Sequence, residues 1–431
     1  MLYYFYKNYI GKNNRIASAE KNFIANSTQF IFMKKAAFLV ALAALFGGTQ
    51  ANATDWNWKG DVRYRYQSDL ASDPAVTGEN SRDRHRTRVR LGVYPWISEE
   101  LTGGLQFSTA GAGDETTSRN ETFGDQFVPD QLYLNEAFIN FHPKAFDSKV
   151  NIILGKREVA NTMVVLSDLV WDGDLTFEGM TLQYGKDENG KNKDGWNAML
   201  GYYPLNEIND LKEVKAQDAY LLAGQVAYKG KTSAVTYHMG AGYYDYTHFD
   251  VSNKKVNASQ LAAAPYTYTA AKSATYSPEY DYTGKDFNII ELFGTVGGKL
   301  TENTPWTLTL QYAFNTAKQD AKHINIDDDE RTSYLAGVKI GDAKNVGQWA
   351  VGADYVRIEK DAMTVLTDSD RNGGTATNLE GMKLGVTYHM VKNMTVGATY
   401  FNFNTIDNDA TAVDESATKR HTLMLDTVVK F

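Results

Sequence analysis

The stretch Arg84-His85-Arg86-Thr87-Arg88-Val89-Arg90-Leu91-Gly92-Val93 decides how the whole chain is read. In an extended segment successive side chains point to opposite faces. Arg84, Arg86, Arg88 and Arg90 therefore share one face, and His85, Thr87, Val89, Leu91 and Val93 share the other. Four arginines in a row fit neither a packed core nor lipid, where each would cost roughly 2–4 kcal/mol at a bilayer midplane. One face of this strand needs water and the opposite face needs oil.

The same period of two runs outward in both directions. Upstream, Trp56, Trp58, Gly60, Val62, Tyr64 and Tyr66 alternate with Lys59, Asp61, Arg63, Arg65 and Gln67. Downstream, Trp306, Leu308, Leu310, Tyr312 and Phe314 alternate with Thr307, Thr309, Gln311, Ala313 and Asn315, and Met382, Leu384, Val386 and Tyr388 alternate with Lys383, Gly385, Thr387 and His389. Sixteen such segments are read, at about 56–66, 84–94, 102–111, 132–142, 150–157, 171–185, 195–203, 217–228, 232–245, 285–298, 305–315, 331–341, 348–358, 378–390, 394–404 and 419–431. The sixth loses parity near Gly179, where a bulge is expected.

Connections alternate between long and short. Long ones fall near 67–83, 112–131, 158–170, 204–216, 246–284, 316–330, 359–377 and 405–418, with short ones between them. This sorting predicts an all-β fold: a closed, antiparallel, up-and-down transmembrane barrel of about 16 strands (16–18), with short turns at one end and long loops at the other. A sandwich has no reason to sort its loops by parity. In this register Trp56, Trp58, Trp96, Trp196, Trp306 and Trp349 lie near the short-turn end, as expected of a membrane–water girdle, and Trp171 lies at the other.

The rest of the sequence agrees. Mean hydropathy is −0.43, which excludes a helical membrane bundle but not a barrel, whose strands are apolar only at every second residue. There is no cysteine, hence no disulfide scaffold and no thiolate site. Met33-Lys34-Lys35, the run AAFLVALAALFGG and Ala51-Asn52-Ala53 read as a cleaved signal peptide over 33–53. The apolar run is too short to span a bilayer. Residues 1–32 read as an over-extended start ahead of the initiator Met33, and the barrel occupies 54–431. Cleavage leaves 38 basic and 51 acidic side chains, a net charge of −13 that argues against nucleic acid as a partner.

The arginine strand RHRTRVRLGV (84–93), the segments LNEAFINFHP (134–143) and LGKREV (154–159), the stretch WDGDLTFEGMTLQYG (171–185) and the terminal Phe431 together resemble a Gram-negative porin, most of all the broad "putative porin" family of outer-membrane barrels. The resemblance covers the whole mature chain. Its motifs are individually loose, and its specificity lies in their order and in the last residue. It implies an outer-membrane barrel with periplasmic turns and extracellular loops, often a homotrimer, that passes small hydrophilic solutes. It also implies that Phe431, on the face of Leu423, Leu425 and Val429, is the signal read by the barrel assembly machinery.

In a barrel of this size the lumen is wet, and inward side chains set size and charge selection. The inward set is Lys59, Arg63, Arg65, Arg84, Arg86, Arg88 and Arg90 against a single acid, Asp61, with Arg420, Lys430 and Asp426 from the last strand. One wall is therefore expected to be strongly basic. The loop REVANTMVVLSDLV (157–170) carries Arg157, Glu158 and Asp168, and its MVVL run is too apolar for a free surface loop. It is the candidate to fold into the lumen and turn Glu158 and Asp168 toward the arginines, as the acidic inward loop of general porins does. Closing the loop base, or meeting a neighbouring subunit, are the alternatives for MVVL. Acids in the outer loops, such as Asp327, Asp328, Asp329 and Glu330, lie beyond the screening length from the constriction. A mild anion preference or weak selectivity is expected.

No catalytic or cofactor pattern emerges. The chain has no His-Glu-x-x-His, Gly-x-Ser-x-Gly or His-x-Ser. Asp368, Asp370, Asn372 and Gly373 match half of a calcium loop, but Leu379 holds its last position, so DSDRNGG reads as a solvated loop tip. The tyrosines of PYTYTAAKSATY (265–276) could contact sugars, although long outer loops are often tyrosine-rich. A diffusion channel is the leading function. A substrate-specific channel for anions or oligosaccharides, an adhesive barrel without conductance and a soluble lectin-like protein are the alternatives.

Overall fold

Inside a bilayer an unpaired sheet edge has no water to bond, so a sheet can cross only if its two edges meet. In the computed structural model of the chain they do. The structure describes residues 55–72, 79–110, 118–146, 149–165, 168–206, 218–248, 286–317, 330–364, 369–372, 377–406 and 419–431. The signal-peptide reading, Asp327 to Asp329, the tyrosine-rich loop and Asp368 lie outside these residues.

Sixteen long strands and one short one form a single antiparallel ring. They are β1 (Asp55–Ser72), β2 (Glu79–Ser98), β3 (Leu101–Ser108), β4 (Glu121–Thr122), β5 (Tyr133–Phe141), β6 (Val150–Glu158), β7 (Thr176–Tyr184), β8 (Gly195–Asn206), β9 (Ala219–Lys231), β10 (Val235–Thr247), β11 (Asn288–Thr301), β12 (Thr304–Asn315), β13 (Thr332–Gly341), β14 (Trp349–Ile358), β15 (Leu379–Val391), β16 (Met394–Thr405) and β17 (Lys419–Lys430). Closure is made by β1, which pairs with both β2 and β17. Phe431 completes the seam: its N–H donates to Gly60 O at 3.1 Å and its carbonyl accepts from Gly60 N at 2.9 Å. The Phe431 ring covers the space that a Cβ on Gly60 would need.

The alternation sorts as expected. Outward rows such as Leu200, Leu310 and Val351 are exposed, and their neighbours Met199, Gln311 and Ala350 are buried on the inside. Trp56, Trp58, Trp196 and Trp349 are exposed on the outer face at the short-turn end.

Several local readings change. β1 and β2 run well past the expected ends and shrink their long loop to residues 73–78, because hydrogen bonding continues where both faces are wet and hydrophobic alternation stops. β4 pairs with β2 at Arg86 and Thr87, carrying the wall upward where β3 ends. The ladder between β6 and β7 runs unbroken through Gly155 opposite Gly179, so there is no bulge at Gly179. The hydrophobic pattern inverts there because Phe177 turns inward onto the apolar core with Glu178 exposed outside, and because 171–175 are not strand. Gly155 and Gly179 instead take φ of +116° and +148°, and a Cβ on either would strike a neighbouring strand's carbonyl. Trp171 is no girdle residue but is fully buried inside the barrel. Trp96 falls in the inward row with Arg90 and stacks near His142, with ring centroids 5.5 Å apart.

The apolar core sits inside the ring, where two loops lie against the inner wall. The connection 159–175 begins with a single helical turn, α1 (Val159–Thr162), and buries Val159, Met163, Val164, Leu169, Val170 and Trp171 against Met199, Tyr203, Leu221 and Tyr244. The connection after β14 buries Ala362 and Met363 on the same continuous cluster, and carries a second turn, α2 (Ser369–Asn372).

Candidate functional site

Cross-strand register places arginine directly opposite arginine on the inner wall: Arg63 faces Arg88 and Arg65 faces Arg86. Like charges so placed repel. The arrangement holds because acids reach the row from several directions. Asp61, on β1 itself, accepts from Arg88 Nη2 at 2.9 Å and from Arg90 Nε at 2.7 Å. Asp426, opposite Arg65 on β17, takes its guanidinium in a bidentate pair at 2.7 and 2.9 Å. Asp370 of α2 accepts from Arg65 Nη1 at 3.0 Å. Glu158 meets Arg90 at 3.2 Å, Asp174 meets Arg88 at 3.5 Å and Asp69 meets Arg84 at 2.5 Å.

Six inward arginines of β1 and β2 therefore stand among six carboxylates: Asp61, Asp426 and Glu158 of the sequence reading, joined by Asp69, Asp174 and Asp370. Arg63 has a different partner. It donates to Asn120 Oδ1 at 2.5 Å and, among the described residues, has no carboxylate within ion-pair distance. Arg86 donates to Gln67 at 3.2 Å.

Glu158 thus stands on the arginine side. Asp168 does not: it faces Lys383 of β15 at 3.4 Å and Arg371 of α2 at 3.9 Å. Crowding by protein opposes ionisation of Asp168, but Lys383 and Arg371 outweigh it and hold its pKa below the ordinary carboxylate value. The acids that sequence reasoning missed are Asp69, Asp174 and Asp370. Asp370 lies on α2, half-buried against Arg65. Burial opposes its charge, yet Arg65 and Arg63 bring its pKa down to about 2. Engaged with Arg65, it is unsuited to a calcium loop, and no cluster of metal-ligating residues occurs among the described residues. The side chain of Asn372 lies outside them.

The other cations of the sequence reading are spread along the same wall. Lys59 stands below the row and Arg420 lies on β17 opposite Ala71. Arg157 is almost wholly buried, with its guanidinium 4.7 Å from the centre of the Phe138 ring.

The connection 159–175 is held across the lumen from the arginines by a polar cradle. Gln225 of β9 accepts from Val164 N at 2.8 Å and Val165 N at 3.1 Å and donates to Val165 O at 3.0 Å, as a strand partner would. Gln183 donates to Thr162 O at 2.6 Å and Asn192 to Val164 O at 2.6 Å, while the buried Lys186 Nζ donates to Met163 O. Trp171 completes the anchor, edge-on to Phe177 at 5.1 Å and to Tyr244 at 5.0 Å. The loop so fixed narrows the lumen between an apolar wall and a charged one. Such a passage can sort solutes by size and orient their dipoles in a transverse field.

The profile of the family described as "Putative porin" matches residues 43–419. A search of the curated proteins found no match. Among solved structures, OprB of Pseudomonas putida at high pH aligns with a TM-score of 0.51 and 12% identity, over 87% of this chain and 94% of that one. The anion-selective porin from Comamonas acidovorans aligns at 0.49 and 12% identity, over 88% and 100% of the two chains. Salmonella typhi OmpF, in complex with daunomycin, aligns at 0.48 and 14% identity, over 88% and 98%. The likeness to OprB is one of fold.

Proposed function

We propose, given that this chain belongs to the "Putative porin" family and is an outer-membrane β-barrel channel, that it passes small hydrophilic solutes and ions by passive diffusion. The narrowing lies between the inner arginines Arg63, Arg65, Arg84, Arg86, Arg88 and Arg90 and the inward connections that carry Glu158, Asp174, Asp168 and Asp370. Lys59, Arg157 and Arg420 extend the basic wall to either side. The observation that carries this reading is the docked connection 159–175, at whose two ends Glu158 and Asp174 meet Arg90 and Arg88. No catalytic role and no cofactor is part of it.

Near-equal pairing of arginine and carboxylate makes selectivity weak, and Arg63 tips it toward anions with Lys59 and Lys430, which among the described residues have no carboxylate within ion-pair distance. Reversal potentials across a planar bilayer under a potassium chloride gradient test this. A mild anion preference is expected, moving toward neutrality in Arg63→Gln. A clear cation preference in the native channel refutes it.

We further propose that the barrel assembles as a homotrimer in outer-membrane lipid, and that Phe431 is recognised by the barrel assembly machinery after residues 33–53 are removed. Deleting Phe431 should lower insertion in cells while leaving refolding into detergent possible. Gel migration before and after heating reads both the folded barrel and its oligomer.

A further inference from the structure

Toward the short-turn end from the arginine rows, a cavity of about 440 Å³ opens between β1, β2, β3, β5 and β6. Glycine makes the room. Gly92 and Gly104 stand on the inward face, and a Cβ on either would collide with the rings of Tyr94 or Phe138, which lean over them. The cavity is thus walled by ring faces, with Trp96 beside them.

Its charges divide into committed and uncommitted groups. The buried acids are committed. Asp61 is taken by Arg88 and Arg90. Glu136 accepts from the Tyr94 hydroxyl at 2.6 Å and from Glu158 N at 2.9 Å. Glu158 accepts from Arg90 at 3.2 Å and Asn161 at 3.5 Å. At the rim Glu188 accepts from Asn189 at 3.0 Å and Asp55 is exposed.

The cations are different. Lys59 lies with its Nζ 5.2 Å from the centre of the Tyr94 ring, and among the described residues neither it nor Lys430 has a carboxylate within ion-pair distance. Arg157 is only 5% exposed, lines the cavity, and among the described residues its Nε and Nη1 have no hydrogen-bond partner. Buried guanidinium N–H groups without acceptors are costly unless an anion completes them.

We propose that this cavity is a binding subsite for a small organic carboxylate with a flat apolar body, its oxygens met by Lys59, Lys430 and Arg157 and its body laid on Tyr94 and Trp96. Carboxylate suits the donors, since its two oxygens can accept from a guanidinium N–H and an ammonium group together. The rings favour an organic anion over an inorganic one. The assignment deepens the channel reading above and takes its physiological meaning from it, as a resting place below the narrowing.

The test is calorimetric titration of the detergent-solubilised full barrel with sodium benzoate, against benzyl alcohol and sodium phosphate at matched ionic strength. One saturable site per chain is expected for benzoate, with benzyl alcohol and phosphate much weaker. Lys59 is exposed, so its variants leave the fold intact. Lys59→Gln should weaken benzoate roughly tenfold, the loss of one charge-assisted contact, Lys59→Glu should abolish binding and Lys59→Arg should restore it. Absence of saturable heat, equal binding of benzyl alcohol or phosphate, or indifference to Lys59→Glu overturns the subsite. Benzoate block of single-channel current separates the two readings. A barrel that conducts without binding benzoate loses only the subsite, and one that binds without conducting loses only the channel reading.

Discussion

Replacing Trp171 with alanine isolates the inward loop from the barrel that holds it. The indole is fully buried and touches Phe177, Tyr244 and Tyr246, all on the inner wall. Truncating a buried tryptophan costs about 3–5 kcal/mol. At about 1.4 kcal/mol per tenfold, docking of the loop weakens by a factor of roughly 150 to several thousand. The strand ladders are untouched, because Trp171 lies outside every strand. Docking keeps the bonds to Gln225, Gln183, Lys186 and Asn192, so the variant should populate an undocked state, not lose the loop altogether. Single-channel recording is the assay. The native channel should show one steady level, and Trp171→Ala should flicker to a larger one, with an unchanged heat-modified gel shift confirming the barrel. A variant with native conductance and native noise would show that the loop does not bound the passage.

Asp370→Asn removes the only charge that α2 sets on Arg65. One unit charge at 6 Å in water is worth about 0.7 kcal/mol, so anion over cation permeability should rise roughly threefold, read as a reversal-potential shift. Lys186 gives a pH dependence. Burial, aided by Arg157, pushes its pKa down to about 7, with only Asp187 opposing. Released to solvent it titrates near 10.4. Between those values the undocked state holds the extra proton, so docking gains as pH rises from about 7 toward 10, by at most about 1.4 kcal/mol per pH unit, and is flat below 7. Flicker of Trp171→Ala should therefore decline from pH 7 to pH 9, and adding Lys186→Met should remove that slope.

The strands were legible because the bilayer imposes one rule on every residue that crosses it. Rows such as Leu423, Leu425 and Val429 must be apolar and the rows between need not be. The rule lapses above the membrane, which is why the extension of β1 through Gln67 to Ser72 did not show in the hydrophobic pattern. It also lapses in the connections. Nothing in the spacing of DLTFEG marks where strand begins, so Trp171 to Leu175 read as part of β7. The run Met163-Val164-Val165 was legible as a segment needing cover, since apolar side chains do not stay in water. Its partners were not, because Gln225 and Lys186 look like ordinary inward polar residues. Asp174 and Asp370 were illegible for a different reason. Which acid meets which arginine depends on how far two connections reach across the lumen, and no local period encodes that distance.

The charged wall and the loops are one cooperative unit. Six arginines on two adjacent strands would repel one another in a bare barrel, and of the six carboxylates that meet them Asp61, Asp69 and Asp426 lie on β1 and β17. Asp174 and Asp370 arrive on connections docked mainly through apolar contact with the far wall. Hydrophobic burial on one side of the lumen is thus what delivers counter-charge to the other. Undocking the loop must then change two properties together. As Asp174 withdraws from Arg88, the larger conductance level of Trp171→Ala should also be the more anion-selective one. A passage that merely widened would lose selectivity as it opened, so the sign of that change distinguishes coupled charge delivery from simple steric gating.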